Sequence, residues 1–317
     1  MLAALGRRIG AAPWIWSFVG TALTWLVTLW ISGGRGGEQI LSAALTFSSF
    51  TVLVSLGQMM VITTGPGNVD LSIPSVIALS SAVSMLVMDE QSALIVPGLL
   101  AAVAAGLAVG LANYGLIRVL RIPPIIATLS SSLVVMSIAI VLGRGLKIKP
   151  PQAYADAVTA KLAGIPLLAV LALVAAVAVS FVLERTLYGR TVSAIGQSRR
   201  IARLAGLDVE RTSLVTYMLS GALAGLTGAL IAGFAGGNSL DQGAEYLLLT
   251  IAVVVIGGTS VAGGRASVPG IWGAALFMFL VVTMLNASGV SPGLRMLLTG
   301  LIIIGVIAAG GSEKAVR

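Results

Sequence analysis

The chain contains no cysteine and no histidine among its 317 residues. Without cysteine it can form neither a disulfide nor a thiolate metal site. Without histidine it lacks the commonest metal ligand and the side chain that most often transfers protons near neutral pH. A Ser/His/Asp catalytic set is therefore excluded, and we expect no metal site.

Charged residues are also scarce. Only 9% of the residues are charged, whereas 57% are hydrophobic and the mean hydropathy is +1.05. A soluble domain of this length could not cover its surface with so few charges, so the composition indicates an integral membrane protein. No G-x-x-x-x-G-K-[ST] motif is present, so the chain has no visible means of hydrolysing ATP, and we expect it not to be an enzyme. The apolar runs lack the Lys/Glu/His relays expected of a proton-driven carrier.

Long apolar runs predict an all-α, polytopic fold in a single transmembrane domain over residues 1–317. A spanning helix needs about 20 apolar residues, and this rule gives about ten spans. The run Trp14–Ile31 is too long for a secretory signal, so we expect an uncleaved first span. The predicted spans are 13–32, 40–63, 71–88, 92–117, 125–143, 165–183, 212–235, 246–261, 267–286 and 292–309.

The basic residues predict the orientation. With the N-terminus in the cytoplasm, 13 of the 19 Lys and Arg residues fall inside and 6 outside, which places both termini inside. The formal net charge of +8 is then mostly a topology signal, and we expect no nucleic-acid partner. The loop 144–164 is the longest external connection and carries positive charge against the rule. Within it, PPQAYADAV looks like a short surface turn.

The predicted cytoplasmic connection at about 190–211 contains an amphipathic stretch at 198–206. Ser198 can cap a short helix, RRIARLA, that stops at Gly206. Ile201 and Leu204 lie near one face of that helix, with three arginines around the other. Such a helix either rests in the headgroups of the bilayer or inserts into a cytoplasmic partner. The three arginines are Arg199, Arg200 and Arg203.

Glycine-rich segments at 63–72 and 257–264 interrupt the apolar pattern near membrane depth. Each follows an apolar run and precedes a helix with proline near its first turn, Pro74 and Pro269. Irregular backbone cannot face lipid, so it must be buried in protein or line an aqueous cavity. In transporters, broken segments of this kind point to the substrate path. The alternative is that both are tight turns between spans.

Asp70 is the only acidic residue of the first interruption. A carboxylate beside a span is costly, so it is functional or paired, or it caps the next helix together with Ser72. Neutral hydroxyls and amides in and beside the spans suit a sugar or polyol, but they also tie helices together. The candidate substrate-pathway residues are Asn68, Asp70, Ser72, Asn113, Thr128 and Ser131. The small-residue pattern at 220–230 predicts close helix packing within the subunit.

Several stretches, taken in order, resemble a known family. They are VITTGPGNVDLS at 61–72, RIPPIIATL at 121–129, the run from YGRTVSAIG to SGALAGLTG at 188–228, and VVVIGGTSVAGGRASVPGIWGA at 253–274. The chain resembles the membrane permease subunit of bacterial ATP-binding cassette (ABC) importers for sugars, the ribose-type branch. The resemblance extends over about 53–311, nearly the whole chain.

The resemblance implies the type II importer architecture in the bacterial inner membrane and a sugar or sugar-like cargo. It implies a second permease copy, identical or different, a cytoplasmic ABC ATPase that binds ATP and magnesium, and a periplasmic or lipid-anchored sugar-binding protein. This chain itself would hold no cofactor. The stretch at 198–206 would be the coupling helix, with Ile201 and Leu204 as buried anchors and the arginines helping to dock and steer the ATPase. Its residues would be Ser198, Arg199, Arg200, Ile201, Arg203, Leu204 and Gly206.

Two departures from the family pattern leave the cargo open. Near the third span the family usually reads GGIDLSVG, whereas this chain reads GPGNVDLSIP. Relatives often carry acids in the apolar run before GGTSVAGG, where this chain has Leu247 and Leu249. The alternatives are a branched-chain amino acid permease with the same mechanics and a secondary carrier driven by an ion gradient.

Overall fold

In the computed structural model the described part of the chain covers residues 14–310 and is mainly helical. The terminal basic residues used in the topology prediction, Arg7, Arg8, Lys314 and Arg317, lie outside the described residues. The small exception to the all-α prediction is a hairpin with two residues in each strand, β1 (Lys161–Leu162) and β2 (Ile165–Pro166). A 3₁₀ turn, Ser92–Leu94, lies directly before the helix Ile95–Val119. The helices are α1 (Trp14–Ile31), α2 (Gly37–Thr63), α3 (Ile73–Met88), α4 (Ile95–Val119), α5 (Pro124–Gly143), α6 (Gln152–Thr159), α7 (Leu167–Arg185), α8 (Leu187–Gln197), α9 (Arg199–Leu204), α10 (Val209–Ala235), α11 (Tyr246–Ile256), α12 (Val268–Ala287) and α13 (Pro292–Gly310).

The multi-pass helical architecture is confirmed. Seven helical segments among the described residues are long and apolar enough to cross a membrane: α1, α2, the 3₁₀ turn with α4, α5, α7, α10 and α12. The helices α3 and α11 are shorter, with 16 and 11 residues. At about 1.5 Å per residue they extend about 24 and 16 Å, less than the roughly 30 Å of hydrocarbon. The predicted span at 246–261 was therefore too long as a helix.

The centre of the bundle is formed by α2 and α3. All residues from Ser48 to Thr63 are buried, so α2 is enclosed on every side along more than half of its length. In α3, 13 of the 16 residues are buried. A helix that is apolar all round is stable only when neighbouring helices surround it, which α4, α5, α10 and α11 do for α3.

Small residues bring α4 and α10 into backbone contact, as the pattern at 220–230 predicted. A Cβ at Gly106 of α4 would overlap the carbonyl oxygen of Gly221, and a Cβ at Gly225 would overlap the carbonyl oxygen of Ala102. Gly228 packs in the same way against Ile77 of α3. Close approach of this kind increases the dispersion attraction between the two helices. This attraction matters in a membrane, where no hydrophobic effect drives helices together.

Each of the two short helices, α3 and α11, follows an irregular segment. The sequence predicted the first of these segments but not the second. Residues 64–72 precede α3, and residues 236–245 precede α11. The second segment runs back alongside α3, because Ser81 Oγ lies 2.9 Å from Asn238 Oδ1 and Gly243 packs against the backbone of Pro74. Protein covers the segment only in part, since Gly243 is buried whereas Gly236, Ser239, Asp241, Ala244 and Glu245 are exposed.

The predicted interruption at 257–264 is a tight turn. It lies at the end of the bundle that carries α8 and α9, which we call the α9 end. There the N–H of Gly264 donates to the carbonyl oxygen of Thr63 at 2.9 Å, so the two glycine-rich segments predicted separately are in contact.

The opposite end, the α6 end, contains the loop predicted to be a surface turn. Residues of PPQAYADAV form α6 instead, because Tyr154 and Val158 lie on one face of an amphipathic helix and are buried. Tyr154 packs against Gly233 near the end of α10. The longest connection is therefore an ordered cap on the bundle.

We expect Gly106→Val to destabilise the fold by about 1–3 kcal/mol or more, because the new side chain must separate α4 from α10. The measurement is the thermal unfolding temperature of the detergent-purified protein. The matched control is Gly115→Val in the same helix, where a Cβ meets nothing within 4 Å. Equal stability of the two variants would contradict the packing described.

Candidate functional site

The helix α9 has the boundaries that its sequence predicts. The side chain of Ser198 caps it by accepting the N–H of Ile201 at 3.3 Å. Gly206 follows the last turn with φ of +76°, a conformation that glycine adopts without strain. The N–H of Leu207 then donates to the carbonyl oxygen of Ala202 at 3.1 Å, which satisfies the end of the helix.

The predicted anchors of α9 project away from the chain. The side chains of Ile201 and Leu204 are 67% and 79% exposed, although both are large and apolar. On the opposite face, Ala202 is buried against Ile195 of α8 and Val209 of α10. The helix is thus fixed to the bundle by one face and presents an apolar pair with the other.

The three arginines of α9 have different surroundings. Arg199 Nη2 lies 3.2 Å from Glu210 Oε2, and Arg203 Nη2 lies 2.6 Å from Glu210 Oε1. Arg200 makes no hydrogen bond or ion pair within the described part of the chain. Two of the three predicted docking arginines are therefore bonded within the subunit, and one is available to a partner.

Glu210 was missed by the sequence analysis. In the sequence it is an acid in the first turn of a long helix, which the helix dipole alone would explain. Its contact with Arg118, 3.0 Å from Nε to Oε2, joins residues far apart in the chain. The only sequence signal was its rarity, since the chain has 11 acidic residues and this one stands within the arginine-rich stretch.

The preceding helix, α8, lies against α10 and supports α9. Tyr188 Oη and Thr216 Oγ1 share a hydrogen bond of 2.8 Å. Burial raises the pKa of Tyr188 to about 12, so its hydroxyl stays neutral at physiological pH. At the other end of α8, Gly196 packs directly on the backbones of Thr63 and Gly264. Both glycine-rich segments therefore meet within two residues of the cap of α9.

The second group of predicted residues surrounds Asp70. Ser72 donates to Asp70 Oδ1 through both its N–H, at 3.0 Å, and its hydroxyl, at 2.6 Å. Ser220 of α10 donates to Oδ2 at 2.9 Å. The N–H of Asp70 itself donates to Gln58 Oε1 of α2 at 3.2 Å. The Asp70 side chain thus accepts the N–H of Ser72, the residue just before α3, whereas neither side chain accepts an N–H of the first turn of α3 among the described residues.

Asn113 extends this arrangement to α4 and α5. Its Nδ2 donates to Ser72 Oγ at 2.8 Å, and its Oδ1 accepts the hydroxyl of Ser131. Thr128 Oγ1 accepts the N–H of Leu71 at 3.1 Å. Hydrogen bonds therefore join α2, α3, α4, α5 and α10 around one carboxylate. We call this set the Asp70 cluster: Gln58, Asp70, Ser72, Asn113, Thr128, Ser131 and Ser220.

The Asp70 cluster contains five of the six predicted pathway residues. All of its members are buried, and their groups are mostly paired with one another. Gln58 Nε2 is the exception, since it has no partner among the residues that the structure describes. Asn68 lies apart, half-buried, and accepts the hydroxyl of Tyr217 at 3.4 Å. Gln58 and Ser220 were missed because an isolated polar residue in an apolar helix has the same pattern as a helix-packing contact.

The described residues contain no group of three or more His, Cys, Asp or Glu that could hold a metal ion. The donors and acceptors of the Asp70 cluster are otherwise neutral hydroxyls and amides. This chemistry pairs with hydroxyl groups and does not supply an acid–base set.

Comparison with known proteins agrees with this geometry. Residues 40–307 match the protein family described as "Branched-chain amino acid transport system / permease component". The chain belongs to this permease family.

Relatives of the permease cover most of its length. It is 31% identical over 268 residues to the probable ABC transporter permease protein y4mJ of Sinorhizobium fredii, covering 84% of this chain and 79% of that protein. It is 29% identical to the autoinducer 2 import system permease protein LsrD of Salmonella typhi, covering 84% and 81%. It is 28% identical to the ribose import permease protein RbsC of Escherichia coli, covering 81% of each chain.

No solved structure matches the permease. The family and the relatives establish a permease subunit of an ABC importer, a transport component whose ATPase is a separate subunit. They also indicate a multi-pass protein of the inner membrane.

We expect Asp70→Ala to cost about 3 kcal/mol or more, because it leaves three buried donors without an acceptor. Thermal unfolding of the detergent-purified permease measures this loss. Asp156→Ala is the matched control, since that carboxylate accepts from Gln152 on the exposed face of α6. Removal of Asp156 should change stability by less than about 0.5 kcal/mol. Equal unfolding temperatures would show that Asp70 does not hold the start of α3.

Proposed function

We propose that this permease carries a sugar or sugar-like polyol into the cytoplasm as one of two permease subunits in an importer. The chain would form a single transmembrane unit of the type II architecture, with about ten crossings. Both termini would lie in the cytoplasm. The relatives that are named for their cargo are named for ribose and autoinducer 2, which favours this class over the amino acids in the family description.

The observation that carries the proposal is the exposed apolar pair of α9. Two large aliphatic side chains stand on a six-residue helix beside arginines, at the end of the bundle where the predicted cytoplasmic connections meet. Apolar anchors within a polar rim are typical of a protein interface. In the proposal this surface docks on a cytoplasmic ATPase, which binds ATP and magnesium. A substrate-binding protein would deliver the cargo at the α6 end.

Transport would proceed by alternating access. Closure of the two ATPases would displace α9, and the helices around the path would tilt between two packings of similar energy. The Asp70 cluster would border this path. Because its groups are paired with one another, a cargo hydroxyl could reach them only when α3 separates from α4 and α5.

The first test of the proposal is purification of the tagged permease from its native membrane in mild detergent. We expect an ABC ATPase to co-purify with the wild-type chain. The double variant Ile201→Asp, Leu204→Asp should lose that ATPase, since two charges would enter the docking surface, while its unfolding temperature stays near that of the wild type.

The matched control for this pair is Leu162→Asp, Ile165→Asp, which alters two exposed aliphatic residues of the hairpin at the α6 end. That variant should retain the ATPase. No ATPase with the wild-type chain, in a detergent that preserves a known ABC complex, would overturn the importer proposal. Undiminished binding by the α9 variant would overturn the docking assignment alone.

A second measurement tests the path. Ser131→Ala should raise the KM for sugar uptake several-fold, because the variant loses one hydrogen bond to the cargo. The ATPase should co-purify as it does with the wild type. Ser137→Ala is the control on the same helix, because that hydroxyl donates to its own helix at Leu133 and is exposed. An unchanged KM for Ser131→Ala would remove this residue from the pathway.

A further inference from the structure

Glu210 is the common acceptor for four side chains at the α9 end. Arg199 and Arg203 reach it from α9, at 3.2 and 2.6 Å. Arg118 and Tyr114 reach it from α4, where Arg118 Nε and Tyr114 Oη lie 3.0 and 2.5 Å from Oε2. One carboxylate therefore joins α9, α4 and α10.

This arrangement differs from an isolated surface ion pair. A single exposed pair contributes little, because solvent screens it and long side chains lose freedom in forming it. Here one carboxylate, whose side chain is 30% exposed, is shared by three guanidinium groups and a phenol. Charge-assisted bonds from several directions fix both the distance and the orientation of α9 relative to α4.

The contacts continue inward from Glu210 through two tyrosines. Tyr114 is 6% exposed and Tyr217 is 2% exposed, and their ring centroids are 6.1 Å apart. The hydroxyl of Tyr217 donates to Asn68 Oδ1 at 3.4 Å. Asn68 lies two residues before Asp70, within the irregular segment that starts α3. Side chains in contact thus lead from α9 to Asn68, and the backbone continues from Asn68 to Asp70.

We propose that Glu210 is a positioning residue that transmits displacement of α9 through Tyr114, Tyr217 and Asn68 to the start of α3. This inference rests on the proposed function, because it assumes that an ATPase moves α9. Docking belongs to Ile201, Leu204 and Arg200, which face away from the bundle. Glu210 and its arginines, which are bonded to one another within the subunit, convert that docking into movement of α4 and of the 64–72 segment.

The structure gives this link two properties that transmission requires. It is contiguous, since each residue contacts the next, and its inner members are buried aromatic rings with few rotatable bonds. It also ends on the segment whose hydrogen bonds define where α3 begins. A rotation of α9 would therefore act on the helix that lies at the centre of the bundle.

The test uses the assembled transporter reconstituted in vesicles with its ATPase and binding protein. Glu210→Gln keeps the size of the side chain and removes its charge. We expect the ATPase to co-purify at wild-type yield, while the sugar transported per ATP hydrolysed falls at least about fivefold. Glu184→Gln is the matched control, because Glu184 is an exposed glutamate at the same end of the bundle that accepts only from Ser180 of its own helix.

The outcomes separate the link from a merely structural role. A wild-type ratio of transport to hydrolysis in Glu210→Gln would overturn the proposal, and so would loss of the ATPase, which would make Glu210 part of docking. Failure of the wild-type chain to bind an ATPase would instead reject the proposed function, whatever the variants do.

Tyr114→Phe, combined with Glu210→Gln, should lower the ratio of transport to hydrolysis no further than Glu210→Gln alone, because both changes break one link. Independent, multiplicative losses would contradict a shared link.

Discussion

The start of α3 depends on one carboxylate. Backbone groups buried inside a membrane protein must find partners within the protein, and in the irregular segment 64–72 side chains supply them for Asp70, Leu71 and Ser72. Asp70 accepts both donors of Ser72 and the hydroxyl of Ser220, while Gln58 and Thr128 accept the backbone N–H groups of Asp70 and Leu71. With these bonds made, α3 can begin within the bundle and remain short. The packing of α4, α5 and α10 around it follows, because each contributes a member of the cluster.

The charge concentrated between 199 and 211 falls into two structural groups that the sequence could not distinguish. Arginines beside an apolar pair suggested a docking surface, and the exposed Ile201, Leu204 and Arg200 agree with that interpretation. Arg199 and Arg203 are instead bonded to Glu210 of the same subunit. The same short helix thus has one face suited to a partner and one bonded to its own subunit.

Local signals in the sequence predicted much of the fold. The Ser198 cap, Gly206 and the prolines at the starts of α3 and α12 are properties of a few neighbouring residues, and they were confirmed. The prediction failed where long-range packing decides. Residues 236–245 lie beside α3 because Ser81 and Pro74, more than 150 residues earlier, receive them, and α6 forms because Gly233 leaves room for Tyr154. Glu210 was invisible for the same reason, since its role depends on Arg118 from another helix.

The hydrogen-bonded groups around Asp70 and around Glu210 differ in a way that suits their proposed roles. Around Asp70 one carboxylate accepts three bonds, and the remaining bonds join neutral hydroxyls and amides, are worth about 1 kcal/mol net each and can be exchanged for others when helices shift. Around Glu210 the bonds are charge-assisted and converge on one carboxylate, so breaking one leaves the others in place. Weak, replaceable bonds suit helices that must shift relative to one another, whereas several strong bonds suit a contact that must stay intact while the helices move. The tyrosines between them are buried and apolar except at the hydroxyl, so under the proposed mechanism displacement at Glu210 would reach Asn68 and the Asp70 cluster through these packed rings.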